Sequence, residues 1–300
     1  MPALQGPLKR LFGVLSETRR VLTGNQIAGR GLTVFPDDIF LASYPRSGNT
    51  WVRFLVGNLL HQDSPVSFSN IESRIPEIYF NTDRFLRQLP RPRMLKSHEC
   101  FQPHYPRVIY IVRDPRDVAV SFFHHNVKAR NIPDDYPIAS FVPRFIRGEF
   151  DRRFGCWRDH VLSWTALREG DERFLSLRYE DMKADPAQAL RKMVGFLERC
   201  SFRNIDSSPK ALQLAIELSS PERMRALEKQ EASRWVLTKS TRSDKSFVRS
   251  ATAGGWKREL TPESVAAIES AWGDLMRRLG YELVSQSEEL DITSSTGVSS

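Results

Sequence analysis

Four short apolar runs limit what this chain can fold into more than any other feature. "DDIFLASY" (37–44), "RMLKSHE" (93–99), "RVIYIVRD" (107–114) and "RFLSLRYED" (173–181) have the length and boundaries of buried strands. The third is rich in β-branched and aromatic residues. Three of them lead into apolar residues at helical spacing: "TWVRFLVGNLL", "PRDVAVSFFHH" and "PAQALRKMVGFLE". Pro115 is well placed to open the second of these helices. Strands alternating with helices predict an α/β fold of three layers, with a central, mostly parallel sheet flanked by helices.

The chain has 300 residues, enough for one large domain. Residues 125–150 and 229–255 are irregular and polar, and read as lids rather than core. The tail from Ser285 has a disordered composition. Residues 8–22, within an N-terminal segment 1–35, form a short basic amphipathic pattern, which suits a docked helix or a membrane-surface helix. Basic residues outnumber acidic ones, 44 to 36, giving a net charge of +8 and a pI near 9.6. That excess favours an anionic partner without choosing among nucleic acid, membrane and small molecule. Cys100, Cys156 and Cys200 show neither disulfide nor metal-like spacing, which suits a reducing, cytoplasmic setting. No apolar run approaches 18 residues, so no membrane span is expected, and there is no signal-peptide core.

In an open parallel sheet, ligands bind beyond the carboxyl ends of the strands. The first strand delivers Arg46, Ser47, Gly48, Asn49 and Thr50 there, the second Lys96, Ser97 and His98, and the third Arg113. Ser121 follows in the next helix, and the fourth strand delivers Tyr179. Backbone N–H groups at a turn that opens a helix make an anion site, and Arg46 adds a planar fork suited to phosphate or sulfate oxygens. An ordinary strand-to-helix turn is the competing reading. The nucleoside-triphosphate pattern G-x-x-x-x-G-K-[ST] is absent, so the loop is P-loop-like without the usual lysine.

Here a family resemblance becomes specific. "YPRSGNTW" resembles the 5′-phosphosulfate loop Y-P-K-S-G-T-T-W of the cytosolic-type sulfotransferases. "LKSHE" resembles their K-T-H segment. "VRDPRDVAVS" is similar to their 3′-phosphate motif, "YEDMKADP" to their Tyr-Glu-Asp segment, and "FVRSATAGGWK" to their R-K-G-x-x-G-x-W-K loop. Five motifs in family order span residues 44–257. The resemblance implies a single sulfotransferase domain over 36–284 and a donor, 3′-phosphoadenosine 5′-phosphosulfate (PAPS). Transfer would go to a hydroxyl or amine of a small-molecule acceptor. It also implies site residues. His98 would be the general base, with Glu99 in reserve, although a lone histidine is usually structural. Arg46, Lys96 and the backbone of Ser47, Gly48, Asn49 and Thr50 would hold the phosphosulfate. Arg113, Ser121 and Arg249 would bind the 3′-phosphate, unless Arg113 is spent on a surface ion pair with Asp114 or Asp117. Trp51 would stack on adenine, Tyr179 would hydrogen-bond it, and Ser219 would belong to the same donor site; a core role is the alternative for Trp51.

The chain departs from the family pattern in four places. Arg46 replaces lysine, and arginine does not readily give up a proton. Ser250 and Ala251 stand where Lys and Gly follow the arginine. Ser219, Ser220, Pro221 and Met224 occupy the T-S-F-x-x-M segment, which removes an aromatic face at Pro221. Pro262 and Ala266 break the dimer motif that Lys257 and Thr261 begin, so the family dimer does not carry over and the oligomeric state stays open. These departures resemble bacterial or otherwise divergent members. No metal-ligand spacing is evident, and the adjacent His124 and His125 read as solvent-facing or lid-packed. The arginines fall at strand ends within motifs, which argues for a small anion rather than a nucleic acid. A protein that keeps the fold and binds a nucleotide or polyanion without transferase activity is the rival reading. Phe80, Phe85, Tyr136, Phe141, Phe145 and Trp235 hint at a partly apolar acceptor, or simply pack the lids.

Overall fold

The computed structural model describes residues 23–285 apart from Ser201, Ala232, Ser250 and Ala251. The expected amphipathic helix at 8–22, the tail beyond Ser285, and loop positions Ser250 and Ala251 lie outside the described residues.

The four expected strands are Ile39–Ser43 (β1), Met94–Ser97 (β2), Arg107–Val112 (β3) and Phe174–Arg178 (β4). They pair in the order β2-β1-β3-β4, parallel throughout. The helices are Asn49–Leu60 (α1), Ile71–Arg74 (α2), Asp83–Arg87 (α3), Pro115–Lys128 (α4), Ile138–Ile146 (α5) and Trp157–Thr165 (α6). Tyr179–Ala184 (α7), Pro186–Arg199 (α8), Pro209–Leu218 (α9), Pro221–Glu231 (α10) and Pro262–Arg278 (α11) follow.

The strands are apolar on both sides because both sides are covered. Ile39, Leu41, Ile109 and Ile111 pack with residues of α1, α8 and α9. Phe40, Ala42, Val108 and Tyr110 pack on the other side with residues of α4, α5, α6 and α11. The result is the expected three-layer α/β fold. Four helices begin with proline after a capping side chain. Asp114, Asp185, Ser208 and Thr261 accept from the N–H of Arg116, Gln188, Ala211 and Ser264. Each bond satisfies a donor that the helix itself leaves open. Thr261, which the dimer motif keeps, and Pro262, which breaks it, thus form the start of α11.

The stretch 125–150 is not a lid throughout. Within it, α5 places Phe141, Val142 and Phe145 fully in the core. Polar flanks hide these three residues in a composition count, while burial of their apolar area decides the structure. Among the described residues no helix is long and apolar enough to cross a membrane.

Candidate active site

Arg46, Thr50, Lys96, His98, Arg113, Ser121 and Arg249 line one cleft at the carboxyl end of the sheet. After β1 the chain turns through Tyr44–Gly48 into α1, with Arg46 at φ 69° and Gly48 at φ 95°. A Cβ on Gly48 would lie 2.4 Å from Cδ2 of Tyr179. Glycine is therefore required twice, by the backbone conformation and by the ring beside it. Gly48 caps α1 without a side chain, which leaves first-turn N–H groups for a ligand. The buried Ser47 Oγ has no hydrogen-bond partner among the described residues.

Arg46 donates from Nε to Ser121 Oγ at 3.2 Å and lies over the Phe247 ring at 4.7 Å. Burial, then repulsion from Arg113 and Arg249, pulls its pKa down to about 10. Arg113 donates to the carbonyls of Arg46 (3.2 Å) and Thr252 (3.1 Å) and lies over the Tyr179 ring at 4.3 Å. Its Nε is buried without a partner among the described residues. Arg113 does pair with Asp117, but the pair is buried rather than on the surface and leaves Arg113 lining the cleft, while the pairing with Asp114 does not form. Asp114 pairs with Arg116, and Asp117, 3.8 Å from Arg113, accepts from the N–H of Gly254 and Trp256. Arg113 ties the anion loop to the loop around Thr252. Arg249 reaches the cleft while bound to Glu259, which also takes His124 Nε2.

His98 is held from three directions. Its Nδ1 lies 2.7 Å from the Ser43 carbonyl, which can only accept. Nδ1 therefore carries the proton, and Nε2 keeps its lone pair. The His98 N–H donates to the Tyr79 hydroxyl, and its carbonyl accepts from Nε2 of the buried His160. Burial, followed by the charge of Lys96, holds the His98 pKa well below the ordinary histidine value. Lys96 is buried against Glu77 at 2.6 Å, and burial lowers its pKa while Glu77 opposes the shift.

Other expected residues sit elsewhere. Glu99 does not reach the cleft: its buried carboxylate holds Arg30, Arg153 and Tyr79. Tyr179 is buried behind Gly48, edge-on to Trp51 at 5.6 Å. Ser219 is also buried. It donates to Ala215 O and accepts from Asn58, while its carbonyl holds Trp51 Nε1 at 3.2 Å. Its part is to fix the indole, because its hydroxyl is already engaged. Trp51 lines the cleft together with Pro221 and Met224.

The aromatic residues expected around the acceptor are placed differently. Phe141 and Phe145 are core, and Trp235 is buried against Phe68 and Phe247. Phe85 is exposed, Phe80 half-buried, and Tyr136 accepts from Arg144. The cleft uses Phe122, Phe154 and Phe247 instead. The sequence reading missed Glu77 and Asp151 on its walls, and His125, expected to be solvent-facing or lid-packed, lines the cleft as well. Of these, only His125 carried a readable signal, one helical turn after Ser121.

The family model for the sulfotransferase domain matches residues 36–280. Sulfotransferase 1B1 of the dog, Canis lupus familiaris, is 30% identical over 242 residues, covering 75% of this chain and 79% of that protein. Cytosolic sulfotransferase 5 of Arabidopsis thaliana is 31% identical over 273 residues, covering 82% and 81%. The crystal structure of mouse sulfotransferase SULT7A1 complexed with PAP is similar at a TM-score of 0.65 and 26% identity. That match covers 83% of this chain and 87% of the mouse chain.

Proposed function

This chain belongs to the sulfotransferase domain family, and on that footing we propose that it transfers the sulfuryl group of PAPS to a hydroxyl or amine of a small-molecule acceptor. It is an enzyme, a sulfotransferase. The observation that carries the donor reading is the meeting of Arg46, Arg113 and Arg249 at one cleft, close enough that the last two depress the pKa of the first. Guanidinium groups so placed repel one another, and an anion between them relieves the repulsion. The unpartnered Ser47 Oγ and Arg113 Nε fit the same ligand. The mouse relative solved with PAP supports it.

The bound donor supplies an activated sulfuryl group on a phosphate leaving group. Arg46, Ser47 and the first-turn N–H groups of α1 hold the phosphosulfate and neutralise the charge that grows on the leaving phosphate. Arg113, Ser121 and Arg249 hold the 3′-phosphate, and Trp51 offers a face to the adenine. Nε2 of His98 takes the acceptor proton as the acceptor atom bonds to sulfur and the sulfur–oxygen bond to phosphate breaks. The low pKa of His98 keeps Nε2 free to accept at neutral pH.

A thermal-shift comparison of 3′-phosphoadenosine 5′-phosphate (PAP) with adenosine 5′-monophosphate tests the donor reading. Stabilisation of about 2.7 kcal/mol is expected at a hundredfold excess of PAP over its Kd. Equal shifts from the two nucleotides would end the reading.

A further inference from the structure

Among the described residues, the side-chain polar atoms buried without a hydrogen-bond partner around the cleft include Ser47 Oγ, Asn49 Oδ1, Arg113 Nε and His125 Nδ1. The first three belong to the anion loop and its guanidinium clamp. His125 does not. It stands on the cleft wall, one turn beyond Ser121 on α4, with its ring parallel to Phe122 at 6.3 Å. Burial, then Arg46, Lys128 and Lys96, push its pKa down to about 3, so the ring is neutral at neutral pH. A neutral imidazole brings no charge to an anion. It offers one donor and one acceptor. Arg46 and Lys96 also act on His98, so the two imidazoles share the same cationic surroundings in one cleft. The remaining wall carries the apolar Phe122, Phe154, Leu237, Phe247 and Val248, with Asp151 and the Lys96-paired Glu77 as its acidic members.

We infer that His125 is a specificity-determining residue of the acceptor site, its Nδ1 hydrogen-bonding a second hydroxyl on an apolar, ring-bearing acceptor. The inference rests on the transfer reading above. A buried ring nitrogen left unpaired is costly, and an acceptor that satisfies it is favoured over one that does not. The apolar side chains and the His125 anchor together orient such a diol, with its other hydroxyl left for His98.

The test uses matched pairs of acceptors on one skeleton, such as 2-naphthol and 2,7-dihydroxynaphthalene, cyclohexanol and 1,4-cyclohexanediol, and a sterol mono-ol and its diol. Each pair is assayed with labelled PAPS in the wild type, His125→Phe and His125→Asn. In the wild type the diol is expected to lead its mono-ol by about tenfold in kcat/KM. His125→Phe should bring the two within about twofold, and His125→Asn, which keeps a polar atom near Nδ1, should retain part of the preference. The thermal shift with PAP should be the same in all three proteins. Equal use of both members by the wild type, or a preference unchanged in both variants, overturns the inference. A diminished PAP shift in both variants also overturns it, because His125 would then serve the donor. No product from any pair while PAP still binds overturns the transfer to hydroxyls itself, and the inference falls with it.

Discussion

The Arg46 loop and the His98 wall face the same cleft but are held in different ways. The loop is shaped by its own short sequence: two positive-φ residues, Arg46 and Gly48, followed at once by α1. His98 is fixed by partners 19, 55 and 62 residues away: Tyr79, Ser43 and His160. The loop presents backbone donors and fixed charge, which suits holding an anion. The wall presents one neutral imidazole with a defined tautomer, which suits moving a proton. The difference separates grip from chemistry, and each side of it can be attacked alone.

The largest effect is expected from His98→Ala. Loss of a general base should lower kcat by about a thousandfold, while the PAP thermal shift stays as in the wild type. Turnover within tenfold of the wild type would place the base elsewhere and dissolve the division between the two regions. The complementary break is Gly48→Ala. Its Cβ would meet the Tyr179 ring at 2.4 Å in a backbone conformation that side chains avoid. Strain and overpacking together should cost about 2–4 kcal/mol of stability, read as a lower Tm, and the PAP shift should vanish. A normal melt with an unchanged PAP shift would mean that the loop can relax without losing its ligand.

The same contrast explains what the sequence made legible. Strands and their helices were readable because burial on both faces leaves continuous apolar runs, and because Pro115 and Pro186 mark helix starts. Arg46, Gly48, Arg113 and Ser121 were readable because each belongs to a contiguous motif, and all line the cleft. The supports of His98 were not readable, since a tyrosine, a serine carbonyl and a second histidine carry no local pattern. Glu99 and Ser219 misled for the same reason. Their types suit a site, but Arg30 and Arg153 engage the first and Asn58 and the Ala215 carbonyl engage the second. Helix α5 was hidden because three buried residues, Phe141, Val142 and Phe145, decide a segment whose flanks are polar.

Acid should weaken the wall on its own account. Burial brings the His160 pKa down to about 4, and His98 and His125 shift in the same direction. Below pH 6.5 the unfolded chain binds protons that the folded chain refuses, so the stability is complete above 6.5 and lost as pH falls toward 4. For His160 alone the loss at pH 5 is about 2 kcal/mol, measurable as a drop in denaturant midpoint between pH 7 and pH 5. In His160→Phe, the part of that drop due to this ring should disappear. An unchanged slope would show that the ring is not the source.

The smallest effect, and the one that sharpens the comparison most, is expected from Arg46→Lys. Lysine keeps the charge but loses the Nε bond to Ser121, and it stacks less well on Phe247. Those losses total about 1 kcal/mol and should raise the donor KM about fivefold. If the loop only grips, kcat should stay within about threefold. Lysine also starts from a lower reference pKa, about 10.4, and would sit among the same repelling arginines. The kcat/KM of the lysine variant should therefore fall off at lower pH on the alkaline side than that of the wild type. A tenfold rise in kcat would mean that a proton donated by the side chain assists the leaving phosphate. The loop would then take part in the chemistry, and arginine at this position would be a restraint on rate rather than a variant of grip.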